Sequence, residues 1–116
     1  MGGLDLSAGR VVWSDLDPSV GHEQGGRRPC VVVSSTDFSE VITRMVILVP
    51  CTTRDRGWIS HVELKGDTGL TAPTFAITEQ PRTVSVRRVH GVAGHVDHEC
   101  LAEIMRWVAV WLHPAA

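Results

Sequence analysis

Up to about residue 96 the apolar positions fall in short runs broken by Pro, Gly, Asp and Arg, the pattern of a chain of β-strands. Val11–Leu16 (VVWSDL) reads as a first strand closed by Asp17-Pro18. Pro29–Ser35 (PCVVVSS) reads as a second, its three valines suited to burial on both faces. Thr36–Glu40 (TDFSE) has the form of a short helical turn capped by Ser35 or Thr36. Arg44–Pro50 (RMVILVP) is the strongest strand, with Pro50 expected to end it. His61–Gly66 alternates apolar and polar residues like an exposed strand, and Thr74–Thr83 forms another, placed at an edge or a bulge by Pro81. Ser85–Val89 reads as a short turn and His90–Val96 as a last strand.

From Asp97 the period changes to that of a helix. Leu101, Ile104, Met105, Val108, Trp111 and Leu112 recur at i, i+3, i+4 and i+7, with Asp97 as cap and Pro114 as stop. Trp107 and Val110 lie off that stripe, where they either widen the buried face or meet a second subunit. Short strands followed by a terminal helix predict a mainly β fold, a small β-barrel with helices added, formed by residues 1–116 as one domain.

Composition narrows the class. With 116 residues and 43% hydrophobic content the chain can build one modest core. It has no apolar run of membrane length, and Met1–Arg10 lacks the basic flank and apolar block of a signal peptide, so a cytoplasmic protein is expected. Cys30, Cys51 and Cys100 are odd in number and follow no disulfide or metal spacing; they read as reduced, buried residues. The net charge of −2 alone argues against a nucleic-acid binder. Its distribution reverses that: residues 27–88 hold nine basic against six acidic residues, whereas both flanks are acidic. Ten of the 11 basic residues are Arg, whose planar fork grips phosphate and stacks on bases.

No GxSxG, P-loop, HExxH or CxxC motif is present. His95, His98 and Cys100 straddle a strand-to-helix boundary with no fourth partner, so no metal site is expected there. The chemistry left to consider sits at strand ends: Arg28 beside Pro29 after a Gly-rich loop, Thr52 after Pro50-Cys51, and Gln80 and Arg82 around Pro81. Each alone has a plain reading as an ion pair, a turn hydroxyl or a backbone cap. Together, hydroxyl, guanidinium and amide at the mouth of one small sheet make a phosphate-holding set.

These elements carry a resemblance. The order GRVVWSDLDP, GHEQGGRRPCVVVS, VPCTT, EQPRTV and RRV, from about Arg10 to the terminal helix, resembles the MazF/PemK toxins, endoribonucleases of type II toxin–antitoxin systems also called mRNA interferases. The resemblance implies an SH3-like barrel of the CcdB/MazF/PemK kind with a C-terminal helix, assembled as a homodimer. It implies that Arg28 and Thr52 are catalytic, with Arg27 and Thr53 as neighbours open to confusion with them. It implies RNA contacts from Glu23, Gln24, Arg27, Thr53, Arg54, Arg56, Gln80, Arg82 and Arg88, with Trp58 either a base-stacking platform or part of the core or a dimer surface. Attack by the RNA's own 2′-hydroxyl needs no metal or cofactor and leaves 2′,3′-cyclic phosphate and 5′-hydroxyl ends. Single-stranded RNA and an acidic, MazE-like antitoxin are the implied partners. The Gly25-Gly26 pair would let the Ser19–Gly26 loop close on RNA and be displaced by the antitoxin. Two other readings stay open beside this one: a toxin on the same barrel that poisons a protein such as DNA gyrase, and a degenerate member that only binds.

Overall fold

The computed structural model describes residues 4–39 and 44–113. Strands β1 (Arg10–Asp15), β2 (Arg27–Val32), β3 (Met45–Thr52), β4 (His61–Glu63), β5 (Phe75–Ile77), β6 (Arg82–Ser85) and β7 (Val89–His95) precede helix α1 (His98–Leu112). All pairings are antiparallel, in the order β4-β5-β3-β2-β1-β7, and β6 shares one edge of β3 with β5. The fold is mainly β with a C-terminal helix, as expected, but the strand ladder does not close into a full barrel. Two backbone hydrogen bonds draw its ends together instead, from His95 N–H to Asp67 O (2.9 Å) and from Asp97 N–H to Lys65 O (2.8 Å).

Valines on alternate positions of the central strands fill both sides of the sheet. Val11, Val31 and Val49 pack with Val62, Ala76 and the Cys100, Ile104 and Val108 face of α1. Val12, Val32, Val46 and Leu48 pack on the opposite side with Leu6, Leu16 and Val84. Each such side chain, once fully buried, contributes about 1.5–3 kcal/mol. A strand buried on both faces reads as a continuous apolar run, which is how VVV appears in the sequence.

Several boundaries differ from the sequence reading, each for a physical reason. β2 starts at Arg27 and ends at Val32, so Arg27 and Arg28 are strand residues rather than loop residues. β3 runs through Pro50 to Thr52. Val33 N–H bonds Ile47 O, which makes Cys30↔Pro50 a non-hydrogen-bonded pair, so Pro50 owes β2 no donor. On its other edge Pro50 falls between the last β6 pair, Leu48↔Arg82, and the first β5 pair, Cys51↔Ala76. The expected Thr74–Thr83 strand is two strands, split by a turn in which Gln80 N–H bonds Ile77 O (3.0 Å). β4 is not exposed: α1 lies against it, His61 and Val62 are buried, and Cys100 Sγ faces Glu63 O.

The helix starts at its Asp97 cap, whose carboxylate accepts Cys100 N–H at 2.8 Å. Its buried face is Cys100, Ile104 and Val108, flanked by half-buried Leu101 and Trp107. Met105, assigned to the core stripe by periodicity, is exposed, as are Trp111 and Leu112; Trp107, placed off the stripe, packs on the core. Ser35 caps the turn at residues 36–39, its Oγ accepting Phe38 N–H; Glu40 and Pro114, the expected ends of that turn and of the helix, lie outside the described residues. Val86–Arg88 is a single 3₁₀ turn capped by Ser85. No helix among the described residues is long and apolar enough to cross a membrane.

The three cysteines are buried and free. Burial pushes the Cys30 thiol up to about 12 and those of Cys51 and Cys100 above their usual value. Since the thiolate is the nucleophile, iodoacetamide at pH 8 is expected to leave Cys30 and Cys51 unlabelled in the folded protein and to label them in denaturant. Intact-mass spectrometry counts the labels in both states, and rapid addition of two or three to the folded chain would contradict this packing.

Candidate active site

Strand alternation sends the two neighbouring arginines of β2 to different places. Arg27 faces β1 and β7: its Nε bonds Asp15 Oδ1 (3.3 Å), and a terminal nitrogen lies 3.2 Å from His90 Nε2. Asp15 also takes a 2.6 Å bond from His90, and the His90 and Arg27 contacts hold its carboxyl below the usual range. Arg28 turns the other way, half-buried, across the end of β3. Its Nε donates to Gly25 O (3.1 Å) and its Nη1 to Cys51 O (2.9 Å), the carbonyl directly before Thr52. Two of the five guanidinium N–H groups thus orient the fork, and the rest remain for a ligand.

Thr52 ends β3 opposite Phe75. Its Oγ1 accepts Arg54 N–H at 3.1 Å, which orients the hydroxyl and leaves its own proton to donate. Thr53 is exposed beyond the strand end.

The Ser19–Gly26 loop is tied down over this strand end. Gln80 holds it from both ends of one amide, Oε1 accepting Gln24 N–H (3.0 Å) and Nε2 donating to His22 O (3.2 Å). At the loop's entrance Arg82 Nη1 donates to Leu16 O (2.8 Å), and Arg88 donates to Asp17 O. Within it, Glu23 Oε1 accepts Val20 N–H at 2.6 Å. Gly26 adopts φ +72°, a left-handed geometry that glycine takes without strain. At Gly25 an added Cβ would meet Ser19 Oγ at 2.5 Å and Asp17 Oδ1 at 2.6 Å, both ends of exposed side chains that can turn aside.

A cleft of about 400 Å³ opens beside Pro50 between the loop and the β5–β6 turn, lined by His22, Glu23, Gln24, Glu79, Gln80 and Arg82. A second, of about 240 Å³, adjoins it and adds Arg56, Trp58, His61 and Ile77. Glu23, Gln24, Gln80 and Arg82 therefore line one depression, with Arg28 joined to it through Gly25. Arg56 and Trp58 reach it from the β3–β4 loop, with Arg56 6.0 Å from the Trp58 ring centre. Arg27 points away from it, and Arg54 and Thr53 are exposed on the loop. Arg88 commits one donor to the loop's entrance, at Asp17 O.

Besides His22, two residues of the depression escaped the sequence reading, His61 and Glu79. Their only sequence cues were alternation in HVEL and the position of Glu79 next to Gln80. A further cleft of about 430 Å³, between the start of β1 and the start of α1, holds Arg10, His95 and His98 but none of the candidates, and Arg10 is paired with Asp5 at 2.6 Å. His95, His98 and Cys100 do not converge, and no metal-holding group of three His, Cys, Asp or Glu exists among the described residues.

Residues 7–112 match the family model described as PemK-like, MazF-like toxin of type II toxin–antitoxin system. The chain is similar to the endoribonuclease toxin MazF of Escherichia coli K12, 43% identical over 58 residues covering 50% of this chain and 51% of that protein. It thus matches about half the length of that curated relative. Among solved structures it is similar to MazF (Form-I) from Deinococcus radiodurans, with a TM-score of 0.82, 30% identity, and coverage of 91% and 94% of the two chains. The MazE-MazF complex (Form-II) of the same organism matches at a TM-score of 0.74 with the same identity and coverage.

Proposed function

The chain belongs to the PemK-like, MazF-like toxin family of type II toxin–antitoxin systems, and from that membership we propose that it is a metal-independent, sequence-selective endoribonuclease of single-stranded RNA. The observation that carries this reading is the bond from Arg28 to Cys51 O, which brings a half-free guanidinium to the strand end where Thr52 presents its hydroxyl. In the proposed reaction the 2′-oxygen of a nucleotide attacks its own 3′-phosphorus. The P–O5′ bond breaks, a 2′,3′-cyclic phosphate forms, the 2′-hydroxyl gives up its proton to solvent, and the departing 5′-oxygen takes one from solvent. Arg28 neutralises charge on the equatorial oxygens, and Thr52 donates to a non-bridging oxygen. A guanidinium is a poor proton donor near neutral pH, so electrostatic stabilisation is the role assigned to Arg28.

Glu23, Gln24, Gln80 and Arg82 border the path of the strand. Arg27, Thr53, Arg54, Arg56 and Arg88 supply backbone contacts, and Trp58, half exposed, supplies a stacking face worth about 1–3 kcal/mol per base. The protein works as one cytoplasmic domain, paired in a homodimer. An acidic, MazE-like antitoxin competes for the Arg-rich surface and displaces the Ser19–Gly26 loop. The MazE-MazF likeness supports that partner class. A toxin that poisons a protein such as DNA gyrase without cutting RNA has less support, since it has no use for an oriented arginine and hydroxyl.

The test removes the nucleophile. An RNA carrying a single 2′-deoxy nucleotide on the 5′ side of a cleavage site is expected to lose cutting at that site and keep it elsewhere. Persistent cutting there would rule out 2′-hydroxyl attack.

A further inference from the structure

We propose that the 240 Å³ cleft is a pocket for one guanine base of the RNA and that Glu79, held by His61, is the residue that selects it. The proposal rests on the RNA-binding reading above but not on catalysis.

The cleft, at about 240 Å³, has room for one base rather than for a folded strand. One wall is Trp58, half exposed, its ring leaning on His61 at 4.7 Å and 45°. The polar end is Glu79. Both of its carboxylate oxygens lie 3.1 Å from His61 Nε2, so Nε2 carries the proton and the carboxylate accepts it. The His61 side chain is 3% exposed, and its Nδ1 is buried with no hydrogen-bond partner among the described residues. Leaving a buried polar atom unpaired is costly. The contact that the histidine does make fixes the direction of Glu79.

Among the described residues no arginine or lysine is paired with Glu79, whose side chain stays 31% exposed to the cleft. A carboxylate only accepts, and its two oxygens have lone pairs beyond those His61 uses. The cleft therefore ends in two acceptors side by side. The matching base edge has two adjacent N–H donors, and the Watson–Crick edge of guanine has them in N1–H and the 2-amino group. Adenine and cytosine set a ring-nitrogen lone pair beside their amino donor, and uracil flanks one N–H with two carbonyls. Each of these turns a lone pair toward a carboxylate oxygen. A site that hydrogen-bonds one base edge disfavours the others through such mismatches.

The pocket is also placed next to the cut. Arg28 bonds Gly25 O, the preceding Gln24 N–H bonds Gln80, and Gln80 follows Glu79 in the chain. That short relay sets the base pocket beside the phosphate that Arg28 holds.

The test measures binding by fluorescence anisotropy, using labelled 2′-deoxy hexamers that lack the nucleophile. A single guanine, inosine, adenine or cytosine is set at each position of a thymine background. Inosine differs from guanine only in lacking the 2-amino group. At one position guanine is expected to bind about 5- to 100-fold more tightly than inosine. Glu79→Gln is expected to abolish that difference and to favour adenine, whose donor and acceptor match an amide. Equal affinity for guanine and inosine at every position, no binding of any hexamer, or a guanine preference that survives Glu79→Gln would overturn the proposal. The guanine–inosine comparison uses the unaltered protein, so it stands even if the variant fails to fold. Cleavage of RNA at a motif without a fixed guanine would sink the pocket and leave the nuclease reading intact. A guanine preference without any cleavage would do the reverse.

Discussion

Arg28→Ala is expected to lower the single-turnover rate of RNA cleavage by about 10²–10³-fold, the usual effect of removing one preorganised donor from a developing oxyanion. The structure explains why the loss falls on the rate. The guanidinium is fixed by Gly25 O and Cys51 O before any substrate arrives, so its remaining donors need no reorganisation when charge builds on phosphorus. Arg28→Lys keeps the charge but cannot bond both carbonyls in one plane, and an intermediate rate is expected. Arg27→Ala is the contrasting variant. Its side chain is engaged with Asp15 and His90, away from Arg28 and Thr52, so its loss is expected to leave the rate largely intact, and any effect to fall on RNA affinity through a backbone contact. Rates at saturating protein, with circular dichroism to confirm folding, separate these outcomes. If Arg27→Ala abolished the rate while Arg28→Ala kept it, the catalytic assignment would be reversed.

The largest expected effect on stability comes from the helix. Ile104 is fully buried where α1 meets Val11, Val31, Val49 and Val62. Ile104→Ala removes buried methyl groups from a site walled by β-branched side chains that collapse poorly into a gap. A loss of about 2–5 kcal/mol follows, a fall in melting temperature of roughly 10–20 °C. Met105, one position on, is 41% exposed, and Met105→Ala is expected to cost less than about 1 kcal/mol. Thermal melts of the two variants compare them directly. A larger loss at Met105 would restore the stripe suggested by periodicity.

That stripe shows where sequence reasoning reached its limit. A 3.6-residue period finds the helix and its Asp97 cap, but Leu, Met and Trp look alike to it. The rotation about the axis is decided by β4, against which Cys100 must fit. The strand series was legible because alternation and Pro/Gly punctuation are local. Local rules misjudged Pro50, which sits within β3 because its missing donor falls between two partner strands, a fact of pairing. The same limit applies to the site. Arg28 and Thr52 announce themselves beside Pro29 and after Pro50-Cys51, at the ends of apolar runs. Which of two adjacent arginines faces Thr52 depends on strand alternation, invisible until β2 is known to begin at Arg27. His61 and Glu79 lie 18 residues apart and meet only because β4 pairs with β5. Gln80, expected as an RNA contact, has both ends of its amide on the Ser19–Gly26 loop, a role that no local pattern carries.

The measurement that bears most directly on the central claim is the digestion of a long RNA of known sequence by the purified protein in EDTA, with every break mapped and its ends analysed. The account predicts breaks at one short recurring motif, with 2′,3′-cyclic phosphate on one side and 5′-hydroxyl on the other. Cutting that EDTA abolishes, ends bearing 5′-phosphate, or RNA left whole at high protein concentration would contradict it.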